Sequence, residues 1–296
     1  MRLYAPKYYN EFKCIADACT HSCCVGWRVE LDEETREKYE RAEGGYAERM
    51  RERIEVDGDG AYIPALPSGR CPHLDDCGLC RIITEYGEGY LSDICREHPR
   101  FYNYVADRAE VGIGASCPEA ARLILEGDCA IVPIGEACDT ECADEYNALA
   151  LRDDIYRKAD AADSYTELKR QLLEMPGIPE SLTSGELRSG IFSELEYLYE
   201  ENRDLLIRSA ELITRLNDKR LIKVLLYFVY RHLTEADSES DARTRLGFAL
   251  FSTEAVAALA LLTNDLAEAL RIYSEEIEYS PDNTEAVLFE IESEMI

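Results

Sequence analysis

The sequence predicts a mainly α protein: a Cys-rich N-terminal metal or cluster domain with a small β element, followed by a helical bundle. Three observations carry that reading. Cysteines crowd the first two-fifths of the chain, a short stretch near residues 27–66 alternates apolar and polar residues between turns, and from Thr140 onward apolar residues recur every three or four positions. A division near residue 135 follows, giving 1–135 as the cysteine-rich part and 136–296 as the helical part.

Trp27 to Leu31 alternates as a half-buried strand does, and Asp32 offers an N-cap for a helix over Glu33 to Ala42 with acidic residues in its first turn. Asp57-Gly58-Asp59-Gly60 is a turn, Ala61 to Leu66 a second strand, and Pro67-Ser68-Gly69 closes it. Pro118 suits the first turn of a helix that Gly127 stops. Ser164 with Glu167 forms a capping-box pattern, Pro176-Gly177-Ile178-Pro179 breaks the chain, and Ser280-Pro281 opens a last helix. Leu205, Leu212 and Leu216, then Leu221, Leu225, Phe228 and Val229, mark buried helix faces, and Ala255 to Leu262 reads as a closely packed core helix. About five or six helices are expected in this half.

The chain has 296 residues, 46% of them hydrophobic, which is material for a full core. Its formal charge of −28, from 60 acidic and 32 basic side chains, repels phosphate backbones and anionic lipids, so neither nucleic acid nor membrane is an expected partner. Arg96, Arg100 and Arg108 read as solvated or ion-paired. The greasiest run, Leu221 to Tyr230, is interrupted by Lys223 and too short for a bilayer, and no secretory stretch is evident, so the cytoplasm is the expected location.

There are 12 cysteines, and in a reducing compartment metal ligation is favoured over disulfides. The candidate ligands are Cys14, Cys19, Cys23, Cys24, Cys71, Cys80, Cys95 and Cys117. Adjacent Cys23 and Cys24 fit one zinc ion poorly and fit a multi-iron cluster or two neighbouring sites better. Cys77, Cys129, Cys138 and Cys142 are expected not to ligate, with Cys138 and Cys142 the pair that a helix would bring to one face. Of the histidines, His98 stands out, three residues after Cys95. Gly112-Ile113-Gly114 lacks the third glycine of a dinucleotide loop, because Cys117 stands there, and no C-x3-C-x2-C radical-cluster motif is present.

These strings, with Gly26-Trp27 after the double cysteine, Cys71-Pro72 through Gly78-Leu79-Cys80-Arg81-Ile82, Ile94-Cys95-Arg96-Glu97-His98-Pro99-Arg100 and Ser116-Cys117-Pro118-Glu119-Ala120-Ala121-Arg122-Leu123, resemble the flagellin lysine-N-methylase family. Tyr227 to His232 and Tyr279 to Asn283 extend the likeness towards the C-terminus, although the chain is shorter than typical members. The resemblance implies methyl transfer from S-adenosylmethionine to lysine ε-amines of flagellin or another protein with surface lysines. It also implies an iron–sulfur cluster, of the 4Fe-4S type, held by the eight cysteines, with zinc as the alternative.

For that chemistry the lysine must be neutral and in line with the methyl sulfonium. Glu97 and Glu119 lie near the cysteines in sequence, but surface or capping roles are favoured for both, and neither catalytic nor cofactor-binding residues are assigned. The competing readings are a zinc- or iron-chelating protein without catalysis and an adaptor in flagellar assembly.

Overall fold

The computed structural model describes residues 1–137, 146–213 and 218–295. It divides into two compact units: Lys13–Arg100, and Met1–Phe12 together with Phe101–Ile296. The smaller unit is thus inserted in sequence after Phe12, between the segment that carries the larger unit's first strand, β1 (Arg2–Pro6), and the rest of that unit. The division read near residue 135 differs from this one because β1 finds its partners only after residue 107.

In the smaller unit, β2 (Val29–Leu31) runs into α1 (Glu33–Arg41), and α2 (Ala47–Glu52) leads through β3 (Glu55–Val56) to β4 (Ala61–Ile63). The strands form an antiparallel sheet in the order β2-β4-β3, one strand more than the sequence suggested. The strand beginning at Ala61 stops at Ile63 because Pro64 has no N–H to continue the ladder. Two short helices follow, α3 (Arg81–Tyr86) and α4 (Asp93–Glu97). Val29, Leu31, Tyr39, Met50, Ile63 and Ile82 make the core, with Trp27, Cys80 and Cys95 packed against it.

Asp32 caps α1 as its position predicted, accepting from the Thr35 amide at 2.8 Å, and its other oxygen accepts from the Asp93 amide at 3.0 Å. One carboxylate therefore holds the starts of α1 and α4 together. Asp32→Ala should cost about 1–2 kcal/mol in denaturant unfolding, the upper end of a capping loss. Asp32→Asn, which keeps an acceptor, should recover most of it; equal losses in both variants would contradict the capping account.

The larger unit contains β5 (Arg100–Val105), β6 (Arg108–Ile113), α5 (Pro118–Glu126) and β7 (Ile131–Glu136). Its four-stranded sheet has the order β5-β6-β1-β7, with β1 parallel to β6 and antiparallel to β7. This sheet departs from the helical expectation. The turn between β5 and β6 gives no glycine or asparagine signal, since Ala106 itself takes the left-handed conformation, φ 53°.

Helices build the remainder: α6 (Leu149–Ala161), α7 (Tyr165–Leu173), α8 (Gly185–Glu194), α9 (Glu200–Ala210), α10 (Arg220–His232), α11 (Glu239–Thr263), α12 (Leu266–Tyr273) and α13 (Pro281–Glu294). The expected bundle is present, with more helices than the periodicity suggested. Ser164 caps α7 and Ser280 caps α13, each through its hydroxyl. Leu221, Leu225, Phe228 and Val229 are fully or almost fully buried, as is the Ala255–Leu259 part of α11. By length and composition α11 could cross a bilayer, but 78% of its most apolar stretch is buried inside the protein, as in a core helix. Leu216, Cys138 and Cys142, singled out in the sequence, lie outside the described residues.

Helix α6 is tied to the sheet by a buried bidentate ion pair. Arg152 donates to Glu110 at 2.5 and 2.7 Å, and both side chains are fully buried. Burial is affordable only because the fork-on-carboxylate geometry satisfies both charges at once.

Candidate metal centre

The smaller unit brings four of the predicted cysteines together. Cys71 follows a stretch pinned to the double-cysteine loop: Gly26 donates to the Gly69 carbonyl at 2.9 Å, and the Cys71 amide donates to the Cys24 carbonyl at 2.8 Å. From Cys71 the chain turns back on itself. Asp75 accepts from the Cys77 and Leu79 amides, Leu74 bridges to Cys80, and the Arg81 amide reaches the His73 carbonyl at 2.8 Å. Cys80 is thereby set at the N-terminus of α3, and Cys95 comes from α4.

Every pair among Cys24, Cys71, Cys80 and Cys95 is close enough for one sulfur's charge to raise the pKa of the other. Burial pushes the Cys71 and Cys95 thiols up to about 11 and raises Cys80 as well. The Cys24 thiol is raised further, first by its hydrogen bond with Cys23 and then by burial. Without a cation, all four are neutral thiols at physiological pH.

Two of the four carry a feature that a merely buried cysteine does not need. At Cys71 the amides of His73 and Leu74 point at the sulfur, and at Cys80 those of Ile82 and Ile83 do the same, in each case from two and three residues further on. Such paired N–H donors stabilise a thiolate and tune a metal bound to it. The donor set and its surroundings therefore fit a thiolate-held ion or cluster. As placed, however, the sulfurs form a cluster of thiols and not a coordination sphere: among the described residues no group of three or more Cys, His, Asp or Glu side chains is arranged to hold a metal ion.

Other predicted ligands are placed differently. Cys14 and Cys23 are exposed, and the Cys19 thiol donates to the His21 carbonyl at 3.1 Å. Cys117 stands in the larger unit, at the start of α5. Cys77 is exposed, and Cys129 is half-buried in the larger unit. Among histidines it is His73, passed over in the sequence, that is fully buried beside the thiols. Its Nδ1 meets the Tyr46 hydroxyl at 2.9 Å, and burial with the nearby Arg53 charge pushes its pKa down to about 4. His98 is half-buried, and burial lowers its pKa too.

Because a metal binds cysteine as thiolate, and burial raises these thiols' pKa, loading a metal onto them would expel protons. Metal uptake by the reduced chain should release about four protons per centre and weaken steeply as pH falls. Calorimetric titration in two buffers of different ionisation heat measures the number; release of one or none would contradict a four-thiol set.

A second polar constellation lies in the larger unit, where three stretches that carry the family resemblance meet. Glu278, fully buried, takes the His232 Nε2 at 2.7 Å, the Tyr227 hydroxyl at 2.8 Å and the Arg231 Nε at 3.4 Å. Tyr227 in turn accepts from the Ala115 amide at 3.0 Å and from Arg231 at 2.9 Å. The Arg231 guanidinium lies 5.0 Å from the ring centres of both Phe101 and Tyr279. Burial alone would raise the Glu278 pKa, but the charges and hydrogen bonds of Arg231 and His232 hold it below the ordinary glutamate value. Nothing in the spacing of Tyr227, Arg231, His232 and Glu278 announced this network; the only signal was that their segments shared the resemblance.

Here too the two glycines find their reason. A Cβ on Gly112 would lie 2.2 Å from the Phe101 ring, and one on Gly114 would lie 2.3 Å from the Tyr279 hydroxyl. They permit aromatic packing and make no phosphate loop. Glu119 is engaged by Arg122 at 2.7 and 2.9 Å, and Arg96 pairs with Asp93 and Glu97, the local ion pairing expected of that arginine.

Comparison with known proteins bears out the resemblance. The chain is similar to the flagellar biosynthetic protein FliU of Salmonella muenchen, 29% identical over 126 residues, which are 40% of this chain and 75% of that protein. It is equally similar, 29% over 126 residues, to the lysine-N-methylases of Salmonella typhimurium and Salmonella choleraesuis. There the match spans 40% of this chain but only 31% of each relative. No protein-family model matches the chain, and no solved structure matches it.

Proposed function

Starting from a chain related to the flagellin lysine-N-methylases, we propose a protein-lysine N-methyltransferase that uses S-adenosylmethionine and carries a cysteine-held metal centre. What carries the metal part is the set of four closely grouped, half-buried thiols, two of them facing paired backbone amides. What carries the methylase part is the likeness to two lysine-N-methylases. The acceptor is a flagellin-type protein or another protein with surface lysines.

In the transfer, a neutral lysine nitrogen takes the methyl carbon as the carbon–sulfur bond breaks; S-adenosylhomocysteine leaves, and the nitrogen gives up its proton. Cys24, Cys71, Cys80 and Cys95 would hold the centre. A zinc ion or four-iron cluster held by all four thiolates would have no ligand position left for substrate and would serve to organise the fold. An iron with an open position, the arrangement that could grip S-adenosylmethionine, requires one of the four to stay off.

The same closed donor set favours a second reading, a metal-stabilised protein without catalysis. One preparation separates the readings. Chain purified without oxygen is analysed for iron, zinc and visible absorption, then incubated with methyl-labelled S-adenosylmethionine and flagellin. Label in lysine supports the enzyme; metal without any label supports the second reading; neither would sink both.

A further inference from the structure

The groove between α8 and α13, in the larger unit, has a volume of about 1010 Å³ and a consistent chemistry. Its rim carries Glu186, Glu194, Asp282, Glu285, Glu290 and Glu294, and no lysine, arginine or histidine lines it. None of these six carboxylates has an ion pair or side-chain hydrogen bond among the described residues, although arginines and lysines elsewhere in the protein are heavily paired. Glu290 and Glu294, one helical turn apart on α13, repel each other without compensation.

Between the two acidic edges Leu187, Ile191, Leu195 and Ala286 line the groove together with three serines, and Phe289 is 66% exposed. The walls are fixed. Asn283 bolts α13 to the segment after α8, donating to the Glu196 and Glu276 carbonyls at 2.6 and 2.7 Å, while Val287 and Ile291 on the opposite face of α13 are fully buried. A groove with an exposed phenylalanine and aliphatic side chains between rows of unpaired carboxylates complements an amphipathic helix with an apolar stripe flanked by cations. Solubility would not require the exposed phenylalanine at its centre.

We propose that this groove docks a lysine-bearing amphipathic helix of the methyl-accepting protein. Phe289 would take the apolar stripe, and the rim carboxylates would take lysines on either side. The identity of the occupant as methyl acceptor rests on the methyltransferase reading; the docking chemistry does not.

The probe is a fluorescein-labelled synthetic helix with a leucine stripe flanked by lysines, titrated into the full chain and followed by anisotropy. A scrambled peptide of the same composition accompanies it. Binding should weaken by about tenfold or more between about 50 and about 300 mM salt, and the scrambled peptide should bind at least about tenfold more weakly. The triple variant E285Q/E290Q/E294Q and Phe289→Ser should each lose about tenfold in affinity with thermal melting unchanged. Equal binding of the scrambled peptide, unchanged affinity in the variants, or sedimentation showing the groove closed by a second copy of the chain would overturn the proposal. Binding without any methylation sinks the enzyme reading alone, whereas methylation that is indifferent to the groove variants sinks the docking site alone.

Discussion

Cys71→Ser and Cys95→Ser chains are expected to lose metal almost completely, to below about a tenth of the wild-type content, when purified without oxygen. Each removes one of four coupled thiols, and Cys71→Ser also leaves the His73 and Leu74 amides aimed at an oxygen that does not ligate well. Because a metal bound only by the folded site adds its binding energy to folding, the smaller unit should melt lower in both variants and in chelator-treated wild type. The serine variants should be insensitive to chelator, since they have nothing to give up. Cys77→Ser, at an exposed thiol outside the cluster, is the control and should keep its metal. Equal loss from Cys14→Ser would enlarge the ligand set beyond these four, and full retention in Cys95→Ser would dissolve it.

Glu278→Gln should destabilise the larger unit by about 3–5 kcal/mol, the loss typical of breaking a buried ion pair from one side. The amide can accept from Tyr227 or His232, but it leaves the Arg231 charge in a nearly dry site without a counter-ion. The pH dependence gives a second readout. Glu278 has a folded pKa below its unfolded value, so its contribution is fully present above the unfolded glutamate pKa and disappears as pH falls through the folded one. The stability gap between wild type and Glu278→Gln should therefore be constant around neutrality and close in acid. Urea unfolding over that range measures it; a gap under about 1 kcal/mol at neutral pH would show that the network holds little.

Local chemistry made parts of the fold legible. Asp32, Ser164 and Ser280 announced helix starts because a cap is a contact between near neighbours in sequence, and Pro118 with Gly127 bounded α5 for the same reason. The sheet of the larger unit stayed hidden: β1 is paired across more than a hundred residues, and the turn at Ala106 uses a residue type that does not advertise its conformation. Among the thiols, residue type and crowding pointed to the part of the chain where four of them lie close together. Which four converge depends on the Gly26–Gly69 and Leu74–Cys80 backbone links, and these are tertiary facts. His73 and the Glu278 network escaped for the same reason, as each is assembled from segments that spacing does not relate.

The insertion of residues 13–100 behind β1 has a consequence for biosynthesis. As the nascent chain leaves the ribosome, β1 emerges first and must wait, unpaired, until the strands at 108–113 and 131–136 have been translated. The inserted segment, a compact unit of its own, can meanwhile complete its sulfur pocket. Under the proposed metal-holding role, cofactor supply would act on a half-made polypeptide, and cells starved of iron or zinc should accumulate the translation product with its first strand exposed.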